Sequence, residues 1–173
     1  MGVKARMSAL VLLTIVSVGA MAETRGEALN RQGNDLARLG QLREAVGLYS
    51  QAIALEPDYA EPFYNRGKAK LNLGDYKGAI SDLDSAIRLD PTEADAFNNR
   101  AIAKKKAGQV KEAIGDYTIA LQLDPTLYRA YLNRGIAHFE LGNASAACSD
   151  FRMARGHNVP QAEDAMRQAG CTE

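Results

Sequence analysis

The sequence predicts an all-α chain of stacked helical hairpins, and three observations carry that reading. It repeats itself at a fixed period of 34 residues, with Gly40, Gly74, Gly108 and Gly142 in step. Ala45, Ala79, Ala113 and Ala147 follow the same period, as do Ala52, Ala86, Ala120 and Ala154, and then Pro57, Pro91 and Pro125. A period of this length marks a stacked repeat architecture. Within each period apolar residues recur three and four apart, which places them on one face of a helix. A glycine separates two such segments and a proline closes the second. Glycine suits a left-handed C-terminal cap, whereas proline cannot extend a helix.

The chain opens MGVKARMSALVLLTIVSVGAMAETRG. Lys4 and Arg6 form a positive start, Met7 to Val18 is apolar or nearly so, and Ala20-Met21-Ala22 is an A-x-A cleavage site. This is the layout of a secretory signal peptide, residues 1–22. The alternative is an uncleaved inner-membrane anchor. Only 16 residues separate Arg6 from Glu23, short of the ~17–25 a spanning helix needs. No cysteine follows the apolar run, which argues against a lipid-modified N-terminus. Cleavage would leave 173 − 22 = 151 residues, one domain over 23–173.

Four units follow, 26–59, 60–93, 94–127 and 128–161. In the second, Phe63, Tyr64, Gly67 and Leu71 share one helical face, and Tyr76, Ala79, Ile80, Leu83, Ala86 and Ile87 share another. Small residues at Gly67, Ala79 and Ala86 let antiparallel helices approach, and Phe63 and Leu83 fill the space beside them. The first unit is the least regular, and the fourth ends loosely at Arg155-Gly156-His157-Asn158. Beyond it, about 160–170, Ala162, Ala165, Met166 and Ala169 share a face of a terminal capping helix. A stacked array needs such a cap because its last unit has no neighbour. Two helices per unit and the cap make nine, joined by short connections.

These units resemble the tetratricopeptide repeat (TPR). The matching residues are Phe63, Phe97 and Tyr131; Gly33, Gly67, Ala101 and Gly135; Tyr49, Tyr117 and Phe151; and the periodic alanines and prolines. Lys70, Lys104 and His138 stand where the family usually has an aromatic, Arg66, Arg100 and Arg134 where it has leucine, and Val159 replaces the last proline. The resemblance, over Gly26 to about Gln161, implies a right-handed superhelical solenoid whose first helices line a concave groove. It places Arg31, Asn34, Tyr64, Asn65, Lys68, Asn99, Lys105 and Asn133 on that inner side as the candidate peptide- or partner-binding residues. Asn65, Asn99 and Asn133 form one column, and each amide offers the donor and acceptor that an extended peptide backbone requires. Arg31, Lys68 and Lys105 make one end of the groove basic, and Ile136 and Phe139 make the other apolar.

Arg66 with Asp82, Arg100 with Asp116 and Arg134 with Asp150 recur in the same two columns, and the first unit replaces both, with Gln32 and Leu48. Joint presence and joint absence predict contact, as bidentate arginine–carboxylate pairs. Asp84 precedes Arg88 by four residues, a helix-surface pairing. Cys148 and Cys171 are the only cysteines. In an exported chain they are expected to bridge the last unit to its cap, the rival being a reactive thiol, which no C-x-x-C spacing supports.

Lysine plus arginine number 21 and aspartate plus glutamate 21. Loss of the leader removes two bases and leaves 21 − 2 = 19 against 21, about neutral. Nucleic acid demands a clear basic excess, so it is not an expected partner. His138 and His157 are the only histidines, too few for the usual zinc set beside two paired cysteines. No nucleophile elbow, phosphate loop or H-E-x-x-H motif occurs. The expectation is a non-enzymatic adaptor without cofactor or metal, exported (to the periplasm in a bacterium), that binds a protein or extended peptide. The alternative is a self-associating structural subunit of an envelope assembly.

Overall fold

The computed structural model describes residues 23–172, so the expected signal peptide lies outside the described residues. Among these there are nine helices and no strand: α1 (Arg25–Arg38), α2 (Leu42–Leu55), α3 (Ala60–Leu73), α4 (Tyr76–Leu89), α5 (Ala94–Lys106), α6 (Val110–Leu123), α7 (Tyr128–Glu140), α8 (Ala144–Gly156) and α9 (Ala162–Gln168). Each helix packs against the next in sequence, and α1, α3, α5 and α7 also touch in succession. The result is a solenoid with the odd-numbered helices along one side.

The punctuation works as its chemistry dictates. Gly74 adopts φ 84°, and its successor Asp75 donates a backbone N–H to Lys70 O at 3.0 Å, closing α3 in a left-handed turn. Gly40, Gly108 and Gly142 close α1, α5 and α7 in the same way. The even-numbered helices α2, α4 and α6 instead end in an extended residue before proline. In α4 and α6 that residue is Asp90 or Asp124, whose carboxylate accepts from the backbone N–H and hydroxyl of Thr92 or Thr126. These bonds hold both carboxyls below their usual pKa.

The fourth unit departs from this pattern. With no proline to stop it, α8 runs to Gly156 and closes on Asn158, a non-glycine residue at φ 59°. Val159 N–H donates to Ala154 O at 3.0 Å. The chain then turns at once into α9, shorter than the span expected for the cap.

The core is built of small residues against large ones. Ala45, Ala79, Ala113 and Ala147 are all fully buried at the crossing of paired helices. Tyr49, Leu83, Tyr117 and Phe151 fill the adjacent layer. A methyl group added at Gly135 would stand 2.6 Å from the Phe151 ring and 3.2 Å from Ala147 O, so this approach requires glycine. At the C-terminal end Val159, Ala162 and Met166 cover Leu132 and Phe151. Cys148 of α8 is bonded to Cys171, just beyond α9, with 5.5 Å between their Cα atoms.

Candidate functional site

The inner helices are set in place by a charged lock that repeats three times. Arg66 donates from Nε and Nη2 to the two oxygens of Asp82 at 2.8 and 2.7 Å, joining α3 to α4. Lys70 Nζ lies 2.8 Å from the same carboxylate. The remaining Arg66 nitrogen, Nη1, donates to Ser50 Oγ of the preceding hairpin at 2.9 Å. Arg100 repeats this with Asp116, Lys104 and, across the boundary, Asp84. Arg134 repeats it with Asp150 and Thr118. Asp84 therefore reaches the next hairpin's Arg100 at 2.7 Å rather than Arg88 on its own helix.

The aspartates are buried, and burial of such a charge is tolerated only when every oxygen is paired. Burial works against the Arg100 charge, but the bonds to Asp116 and Asp84 outweigh it and the guanidinium pKa rises. For Arg134 the Asp150 bond leads, in the same direction. In the fourth unit His138 takes the place of the lysine, and its Nδ1 is buried without a hydrogen-bond partner.

With the lock in place, the sixth residue of the second and third units bonds to the fifth residue of the unit before. Asn65 Nδ2 donates to Asn30 Oδ1 at 3.1 Å, and Asn99 Nδ2 donates to the Tyr64 hydroxyl at 3.2 Å. Asn30 is itself buried and donates to Tyr59 at 3.3 Å. The third rung is open: Asn98 Oδ1 is buried without a donor, and no side-chain bond joins it to Asn133. Two of the three amides in the column are thus already engaged between hairpins.

Between α1 and α3 the face opens into a cleft of about 500 Å³ that brings together Arg31, Asn34, Asn65 and Lys68. Tyr49 forms part of its lining and donates its hydroxyl to Asn34 Oδ1 at 2.8 Å. Burial, with Glu61 nearby, pushes the Tyr49 pKa up to about 12. Arg31 is partnered by Glu23 at 2.9 Å, while Lys68 has no carboxylate within 4.0 Å among the described residues and sits 5.9 Å from the Tyr64 ring centre. Asn99, Asn133 and Lys105 lie outside this cleft. Lys105 is bonded to Glu140 at 2.7 Å, so of the three cations expected to charge the groove only Lys68 lacks an ion-pair partner among the described residues.

Tyr64 lines a different cleft of about 380 Å³ with Tyr59, Glu61, Asp90 and Glu93. Burial first, then the charges of Asp95 and Glu93, raise the Tyr64 pKa to about 12. Sequence reasoning missed this acidic, tyrosine-walled edge. Its signal was present in the column Glu27, Glu61 and Asp95, one carboxylate in each of the first three units. At the other end a cleft of about 360 Å³ between α7 and α9 is lined by Leu132, Ile136, Phe139 and Gln168. No cluster of metal-ligating side chains occurs among the described residues, and no described helix is long and apolar enough to cross a membrane.

The solved structure of MamA is 25% identical, with a TM-score of 0.74 over 80% of this chain and 81% of that one. The first TPR domain of Spaghetti (RPAP3), bound to the HSP90 peptide SRMEEVD, superposes with a TM-score of 0.68 at 24% identity, over 69% of this chain and 95% of that one. YrrB, described as a TPR protein with an unusual peptide-binding site, gives 0.73 at 24% identity, over 82% of this chain and 73% of that one. No curated protein sequence matches at a significant level. The family model for the TPR repeat matches residues 33–74, 68–108 and 103–142, more than half of the chain. With its helical pairs stacked as that repeat requires, the chain belongs to the TPR repeat family.

Proposed function

We propose that this TPR protein is a non-enzymatic adaptor that holds an extended segment of a partner protein against its inner helices, outside the cytoplasm. The carrying observation is the cleft between α1 and α3, where Asn34, Asn65 and Lys68 converge. Amides that both donate and accept suit a peptide main chain, and the exposed lysine adds charge selection. Two structural neighbours are named for peptide binding, one bound to a peptide and one for its binding site, which supports the same use of the fold here. The Cys148–Cys171 bond supports an oxidising compartment. The leader's charge, length and A-x-A site support export with cleavage after Ala22.

The test is capture of the partner from the native cell envelope by the wild-type chain and by a Lys68→Glu, Asn133→Ala variant. Both residues lie on the inner helices, and neither has an ion-pair or hydrogen-bond partner among the described residues, so the variant should keep its helical circular dichroism. It should lose the captured protein. Undiminished capture would move the site off the groove. Sedimentation settles the alternative: a mass rising with concentration in the absence of partner would favour a self-associating subunit.

A further inference from the structure

The basic cleft between α1 and α3 is lined in part by Asn34, Ala37 and Lys68. Ile136 and Phe139 of α7 stand three repeat periods after Asn34 and Ala37, and they line the cleft against α9. The two clefts are thus opposite ends of one inner surface, and their chemistry differs. Cations line the first. The second is lined mainly by Leu132, Ile136, Phe139, Phe151 and Ala165. Its one charged residue, Asp164, is already bonded to Arg167.

The sequence explains why this end stays open. In α9, Ala162 and Ala165 fall one period after Tyr128 and Tyr131, so methyl groups stand where the unit before has rings. Gly170 at φ 66° and the bond from Cys171 to α8 turn the chain aside after Gln168. The helix therefore lasts seven residues, against thirteen in α7. Lys105 shows what the missing turns leave uncovered, for it reaches Glu140 on the following inner helix. Phe139 is the next member of that column, and α9 stops short of the place that Glu140 takes beside Lys105. Phe139 is left 42% exposed. A single exposed apolar residue is ordinary. This one adjoins a cleft of about 360 Å³, which suits one large side chain rather than a folded element.

We infer that this cleft is an anchor subsite: it takes one large apolar side chain, aliphatic or aromatic, from the partner segment that lies along the inner helices. Continuity of the columns sets the occupant, since a segment running from Lys68 along the inner helices ends there. Burial against Ile136 and Phe139 removes apolar surface of both molecules from water, which drives most such contacts. Lys68 then selects an acidic part of the segment, and the anchor selects an apolar part. The inference rests on the groove being the binding face.

Amide NMR titration of the disulfide-bonded protein tests it with three small probes: N-acetyl-leucinamide, N-acetyl-phenylalaninamide and N-acetyl-glycinamide. The first two should shift the amides of Ile136, Phe139 and Ala165 saturably, and the glycine probe should not. Phe139→Ala should weaken binding of both apolar probes about ten-fold. Met153→Ala, a change at a similarly exposed residue on α8, should leave it unchanged. Capture of the native partner should fall with Phe139→Ala, as with the Lys68→Glu, Asn133→Ala variant. Shifts that never saturate, shifts centred on another surface, or apolar binding indifferent to Phe139→Ala would overturn the inference. If capture needs Lys68 and Asn133 but not Phe139, the anchor falls and the groove remains. If capture is indifferent to Lys68 and Asn133, both fall.

Discussion

Two cations converge on Asp116, as on Asp82: it accepts from Arg100 and lies 2.7 Å from Lys104 Nζ. Replacing it with alanine should cost about 3–5 kcal/mol in urea denaturation, because largely buried Lys104 loses its counter-charge and Arg100 keeps only its bond to Asp84. The chain itself supplies the contrasting experiment, since the first unit has Gln32, Leu36 and Leu48 at these places. Installing that trio as Arg100→Gln, Lys104→Leu and Asp116→Leu should cost far less than Asp116→Ala alone. The opposite order would show that the charged lock stabilises in its own right. Tyr49 and Tyr64 give a pH signature at the same scale. Each has a folded pKa of about 12 against an ordinary 10.0. Folding is thus favoured fully below pH 10.0 and loses this contribution as pH rises through about 12. Ultraviolet titration of phenolate should show a late-ionising class that Tyr64→Phe diminishes. The arginine–aspartate contacts were legible in the sequence, because joint presence and absence across repeats act as an internal alignment. The Arg31–Glu23 and Lys105–Glu140 pairs were not, since neither recurs.

Among the elements, α9 has the fewest means of support. It is seven residues long and its buried face is Ala162 and Met166. Its end is tied to α8 by the disulfide and by Arg152, which donates to Thr172 O at 2.7 Å. Closing a loop with a sequence separation of 23 contributes on the order of 3 kcal/mol through the entropy of the unfolded chain. Cys171→Ser should lower stability by up to about that amount. Hydrogen exchange should quicken in α9 first and leave α3 and α5 unchanged; uniform acceleration would mean the bridge steadies the whole stack. Helix boundaries were legible wherever glycine or proline set them. The end of α8 read as loose because its left-handed residue is asparagine, a rarer occupant of that conformation than glycine.

At the scale of the whole molecule the stack was legible and its inner surface only partly so. Periodicity places residues in columns, but it does not say what a column touches in the next hairpin. The asparagine column was expected to face a ligand, and the bonds that Asn65 and Asn99 donate from Nδ2 to Asn30 and Tyr64 were not legible in it. The acidic edge was missed because a column of exposed carboxylates at helix starts is ordinary surface. The guanidinium links between hairpins bear on how the molecule comes apart. Ser50 and Thr118 take the link at the outer two boundaries through neutral hydroxyls, whereas Asp84 takes it at the central one through a full charge. The charged link adds to nearest-neighbour coupling at the midpoint. Unfolding should proceed as two fronts moving inward from the ends, with the second and third hairpins parting last. Native-state hydrogen exchange should rank the α3–α6 amides above all others, and Asp84→Ser should flatten that ranking. Helices α3–α6 would then be the unit that keeps its shape while the ends of the groove open and close around whatever is bound.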